Sequence, residues 1–190
     1  SDVLGKSLLA ELGDHTQPVQ AIVDIPAYGL FATGAMDCAV HLYSYSDEGT
    51  PCLPKLESSF RKHTQGIRSL ATVGKEGLVL SGGGVDGYFL WDALAKVVLL
   101  NIPCGKSRFL DIKVLSASHD DVAVTLDDSG LFRLWYLADF TAPAAMCIGL
   151  FRSKAPEFDI RVFDVISPGL AIVASGRAHH LLEHRVLQSV

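Results

Sequence analysis

The chain has no long apolar run. Across its 190 residues the best candidates are "VVLL" and "LAIVAS", strand-sized pieces well below the roughly 18 residues that a membrane-spanning helix requires. No membrane span is expected. The opening "SDVLGKSLLAEL" lacks a basic stretch followed by an apolar one, which argues against a secretory leader, with less force if the chain is an excised piece. Charge is sparse: 19% of residues are charged and the net charge is −5. Nucleic acid is not expected as a partner, because phosphate contacts need clustered Lys and Arg. The nearest cluster, "SFRKHT", is too small to form a stripe and reads as a solvated loop. Cysteine is scarce too. Cys38, Cys52, Cys104 and Cys147 are scattered, with no CxxC pair, so free thiols in a reducing compartment fit better than disulfides or a zinc site. A cytoplasmic location, or a nuclear one, follows as an expectation. Sustained helical periodicity is also missing, except for the ambiguous "AHHLLEHRVL" near the end.

What is present is a hydrophobic fraction of 49%, enough for one ordinary domain with a substantial core. There is also a repeat. The tripeptide HTQ occurs as His15-Thr16-Gln17 and again as His63-Thr64-Gln65, 48 residues apart. Each His is followed 18 residues later by a hydroxyl, Thr33 in "LFATG" or Ser81 in "LVLSG". Ten residues further stands an aromatic, Tyr43 in "VHLY" or Trp91 in "YFLWD". Stepping back from Trp135 in "LFRLWY" by the same intervals gives Thr125 in "VAVT" and then Ser107. A third unit therefore keeps the hydroxyl and the aromatic, with Ser in place of His.

Between these anchors the sequence reads as strands. They are "VQAIVDI", "LFATG" and "AVHLYSY" in the first unit, and "IRSLATV", "LVLSG", "YFLWD" and "KVVLLNI" in the second. The third offers "FLDIKVL", "VAVT", "LFRLWYL" and "AMCIGLF". A weaker fourth offers "FDIRVFDVI" and "LAIVASG", with "HLLEHRV" where a third strand belongs. Four short antiparallel strands per unit of 44 to 48 residues is the recurring pattern. The polar stretch "SYSDEGTPCLPKLESSF" reads as an insertion between the first unit's third and fourth strands.

These residues resemble the WD-repeat β-propeller family, whose repeat of about 40 to 45 residues carries a GH dipeptide early and WD late. "WD" stands at Trp91-Asp92, and the GH site appears as Asp14-His15 and Lys62-His63, with the Gly lost. The resemblance implies an all-β fold: four-stranded antiparallel propeller blades, about three and a half to four of them, in an incomplete ring. Residues 1–13 would be the outer strand of a preceding blade, 14–61, 62–103 and 104–152 three full units, and 153–190 a partial fourth. Either missing blades or another chain would complete the ring.

The resemblance also implies a hydrogen-bonded network in each blade that ties a lead-in loop to an inner turn. It would use His15, Thr33, Asp37 and Tyr43 in the first, and His63, Ser81, Asp86 and Trp91 in the second. The third would keep Thr125, Asp128 and Trp135. A buried imidazole and indole each need a partner, and a carboxylate can fix the His tautomer, so these are stabilising residues.

Three enzyme-like signals have plainer readings. His180-Leu-Leu-Glu183-His184 matches the HxxEH order of inverted zinc proteases but lacks a downstream third ligand, so with His179 it offers at most adventitious metal capture. The loop with Gly82, Gly83, Gly84 and Gly87 leads into another strand, not a helix, and reads as a tight turn rather than a phosphate cradle. Asp120, Asp121, Asp127 and Asp128 read as turn residues rather than an acid–base or calcium site. Neither an enzyme nor a cofactor is expected. The function expected is a scaffold that binds proteins or peptides through its loop face, around Thr16, Gln17, Met36, Thr64, Gln65, Val85, Lys106 and Ser129. A structural domain of a large multidomain or coat protein is the alternative, and a hydrolase on a propeller scaffold the third.

Overall fold

The computed structural model describes residues 11–45, 53–74, 77–102, 106–117, 120–137, 146–152, 160–167, 170–175 and 178–180; for 115–117, 120–121 and everything from 146 onward only the backbone is described. Fifteen strands appear among them. The first sheet is β1 (Val19–Ile25), β2 (Leu30–Ala35), β3 (Val40–Ser44) and β4 (Lys55–Phe60), paired in that order. The second is β5 (Ser69–Val73), β6 (Leu78–Gly82), β7 (Tyr88–Asp92) and β8 (Val97–Ile102). β9 (Phe109–Ala117), β10 (Asp120–Asp127), β11 (Leu131–Tyr136) and β12 (Met146–Arg152) make the third, and β13 (Ile160–Ser167), β14 (Leu170–Ser175) and β15 (Ala178–His180) a three-stranded fourth. Every pairing is antiparallel between sequence neighbours. Each sheet is a meander, and four meanders side by side make a partial β-propeller.

Burial along the strands explains their composition. In the second blade β6 is buried at every position, while outermost β8 alternates exposed and covered residues. A strand sandwiched between neighbouring blades must be apolar on both faces, whereas an outer strand covers only one. β1 breaks that rule for an inner strand. It alternates as an outer strand does, and Ile22 is 68% exposed on its open face.

The core consists of two blade junctions. Ile25, Ala32, Val40 and Leu42 of the first blade pack with Ile67, Leu70, Val79, Phe89 and Trp91 of the second. Leu78, Leu80, Tyr88 and Leu90 of the second pack with Phe109, Ile112, Ala123 and Trp135 of the third. Each junction is keyed by a glycine. A Cβ on Gly34 would lie 2.5 Å from Ile67, and one on Gly82 would lie 2.5 Å from the Phe109 ring. Ile67 and Phe109 are fully buried there, each burial contributing roughly 1.5–3 kcal/mol. Backbone bonds accompany the key, from Ile67 N to Ala35 O at 2.9 Å and from Phe109 N to Gly84 O at 2.8 Å.

Inner strands follow one another in an arc, with β1 against β5, β5 against β9 and β9 against β13. No comparable packing joins β13 back to β1 among the described residues. The ring is open.

Two sequence expectations change. Lys55–Phe60, placed in a polar insertion, is itself the outer strand β4. Asp120 and Asp121 are not in a turn: they open β10 and pair with Ala117 and Ser116. The third strand of the fourth blade covers Ala178–His180, which includes the first residue of the expected "HLLEHRV"; its other residues lie outside the described ones. His179 and His180 pair with Ala174 and Val173, while Glu183 and His184 lie outside the described residues. The glycine loop does join two strands, with Gly84 and Gly87 at φ of 59° and 95°. Cys38 is a free, half-buried thiol; Cys52 and Cys104 lie outside the described residues.

Candidate interaction face

The lead-in loop of the first blade is fastened by His15. Its Nε2 lies 2.8 Å from Thr33 Oγ1 and its Nδ1 lies 3.1 Å from both oxygens of Asp37. A carboxylate only accepts, so the Nδ1 proton is fixed, and in the neutral ring Nε2 accepts from the Thr33 hydroxyl. Asp37 also accepts from Thr16 N at 2.9 Å and Ala39 N at 3.1 Å. Burial pushes this carboxyl up, but the bonds from Thr16, His15 and Ala39 outweigh it and hold the group below the usual carboxylate range.

Tyr43 stays beside the Thr33 side chain, as its place in the repeat suggested, but gives its proton elsewhere. Its hydroxyl donates to Asp14 Oδ2 at 3.0 Å. Burial and the Asp14 carboxylate push the Tyr43 phenol up to about 12.

The second blade keeps the loop clamp and alters the His. His63 Nε2 lies 2.8 Å from Ser81 Oγ, which accepts from Trp91 Nε1 at 2.6 Å. Asp86 accepts from Thr64 N at 2.6 Å, Thr64 Oγ1 at 2.5 Å and Gln65 N at 3.1 Å. His63 Nδ1 stands 3.9 Å from Asp86, too far for a hydrogen bond. Burial therefore dominates and depresses the imidazole to about 4, the Asp86 charge offsetting only part.

In the third blade Trp135 Nε1 donates to Thr125 Oγ1 at 2.9 Å, and Asp128 accepts from Arg108 N at 3.0 Å. Asp127 is buried beside it, accepting from the Ser129 hydroxyl at 2.5 Å and Leu131 N at 3.1 Å, and pairing with Arg133 at 2.8 Å. Burial raises this carboxyl, and those partners bring it below its ordinary range. Sequence reading left Asp127 as a turn residue and missed both its ion pair and His41, which the alternation in "VHLY" sets on the same face as Tyr43.

Of the eight loop-face candidates, Thr16, Gln17, Thr64, Val85, Lys106 and Ser129 are exposed. Met36 and Gln65 are half-buried between blades. The Met36 sulfur sits where a Cβ on Gly66 would lie 2.7 Å away, and the Gln65 side chain covers Gly84. In each of the first three blades one Asp thus holds the backbone of the lead-in loop.

No family model matches the chain, and no curated protein does. Among solved structures it is similar to the computationally designed Ika8 protein, with a TM-score of 0.64 and 13% identity over 88% of this chain and 46% of that one. The computationally designed Ika4 protein gives 0.62 and 13%, over 90% of this chain and 93% of that one. A chain of the Mitotic Checkpoint Complex gives 0.67 and 14%, over 85% and 47%. The chain thus spans just under half the length of two of these three neighbours. At such identities the likeness is one of fold. Among the described residues no helix is long and apolar enough to cross a membrane.

Proposed function

We propose that this chain is a divergent WD-repeat unit that works as a non-catalytic scaffold, binding partner proteins or peptides through the rim. One observation carries the reading: in all three blades with described side chains, an Asp at the inner turn bonds the backbone of the lead-in loop. Loops fixed in this way present Thr16, Gln17, Val85, Lys106 and Ser129 at little ordering cost, which favours affinity. Non-catalysis is argued from Ser81. Its set with His63 and Asp86 has the composition of a hydrolase triad, yet Ser81 is fully buried and its oxygen already accepts from Trp91. A nucleophile needs access to substrate.

A cytoplasmic or nuclear location belongs to the proposal, as does completion of the ring by further blades or another chain. The open arc favours a second reading within it, a structural propeller domain in a larger protein or coat. The test is affinity capture with Thr16→Lys/Gln17→Lys against a Ser81→Ala chain, each at a temperature where it remains folded. The scaffold reading expects the rim variant to lose partners that the core variant retains. Identical recoveries from both would count against this face.

A further inference from the structure

His41 is not part of the repeat network. It lies on β3 and is 1% exposed. The His15 ring stacks on it, with centroids 3.9 Å apart and planes within 6°. The His41 Nδ1 is 3.4 Å from the Tyr43 hydroxyl. That hydroxyl gives its proton to Asp14, so its oxygen is free to accept from Nδ1–H. The remaining His41 nitrogen, Nε2, has no hydrogen-bond partner among the described residues. On the sheet its pairing neighbours are Thr33 and Ser59, both uncharged. The charged and titratable groups around it are His15 and Asp14 from the lead-in loop, Asp37 from the β2–β3 turn, Arg61 after β4, and Tyr43 on its own strand.

We propose that the His15–His41 stack is an acid-sensitive clasp, which holds the lead-in loop on the first blade while His41 is neutral and opens once His41 takes a proton. Protonation places an N–H at Nε2 in a site that gives it no acceptor and little water. A buried unsatisfied donor and a desolvated charge are both costly. Burial opposes the proton first, a proton on His15 would oppose it next, and Arg61 opposes it too; Asp37 and Asp14 offset only part, so the net direction is downward. The cost is relieved by lifting the loop, because the loop is coil held by side-chain bonds whereas Thr33 and Ser59, flanking His41 on the sheet, belong to paired strands. Opening frees Thr16 and Gln17 from their fixed places. None of this depends on what the rim binds.

The sign follows from linkage. In the opened loop His41 titrates near its ordinary value of about 6.5, and in the closed clasp below it. The closed state is therefore fully favoured above that value and loses ground as pH falls through it, by up to about tenfold in the opening constant per pH unit for one linked proton.

Hydrogen exchange at the Thr16 amide, corrected for intrinsic rates between pH 7.5 and 5, reads this opening. The expected result is a steep pH slope in the native chain and one shallower by up to tenfold per unit in His41→Phe, which keeps the ring and removes the titration. Equal slopes would overturn the proposal. Should the variant fail to fold, the ring NMR titration of His41 in the native chain serves instead. Protection at Thr16 falling in step with His41 protonation supports the clasp, and His41 titrating while Thr16 stays protected overturns it.

Discussion

Ser81 places one hydroxyl oxygen 2.6 Å from the Trp91 indole nitrogen and 2.8 Å from His63 Nε2, in a site closed to water. Ser81→Ala orphans two buried polar groups at once, at about 1–3 kcal/mol each. The urea midpoint should drop with the m-value unchanged; a drop within a few tenths of a kcal/mol would mean the network is not stabilising. His63 adds a pH dependence. Its imidazole sits at about 4 in the folded chain and near 6.5 unfolded, so the unfolded state binds more protons between the two. Stability is complete above the upper value and drains on acidification, by up to about 1.4 kcal/mol per pH unit, down to the lower one. His63→Gln keeps a donor for Ser81 and cannot titrate, so its stability between pH 6.5 and 4 should slope less than that of the native chain. Parallel curves would contradict the assignment.

The repeat made these residues legible, because equal spacing put both histidines, both hydroxyls and both aromatics in register. It could not show that His15 reaches its Asp at 3.1 Å while His63 misses at 3.9 Å. Nor could it show Tyr43 turning to Asp14, which depends on where a coil segment crosses the sheet.

Among elements, β2, β3, β5, β6 and β7 were readable because both of their faces are covered. β4 was not. In "KLESSF" only Phe60 is buried and Leu56 is 38% exposed, so an outer strand carries too weak an apolar signal to stand out from a loop. β10 begins before its apolar residues do, which is why Asp120 and Asp121 looked like a turn. The junction glycines were visible as the ends of "LFATG" and "LVLSG", but their reason belongs to the next blade. Gly82→Ala should destabilise the chain by about 1–3 kcal/mol, the usual cost of overpacking, since the new methyl would meet the Phe109 ring at 2.5 Å. Thermal unfolding reads this directly, and an unchanged midpoint would show that Phe109 can move aside.

At the scale of the whole molecule, the described blades repeat the same contacts without returning to their start. A closed ring of four would make the β1–β13 relation equivalent to that of β1 and β5. The alternating burial of β1 and its 68% exposed Ile22 fit an arc whose first blade has an uncovered face. Pulsed dipolar spectroscopy between labels on β1 and β13, set against labels on β1 and β5, tests this most directly. An open arc requires the β1–β13 distance to be clearly the longer of the two; equal distances would mean that the chain closes on itself.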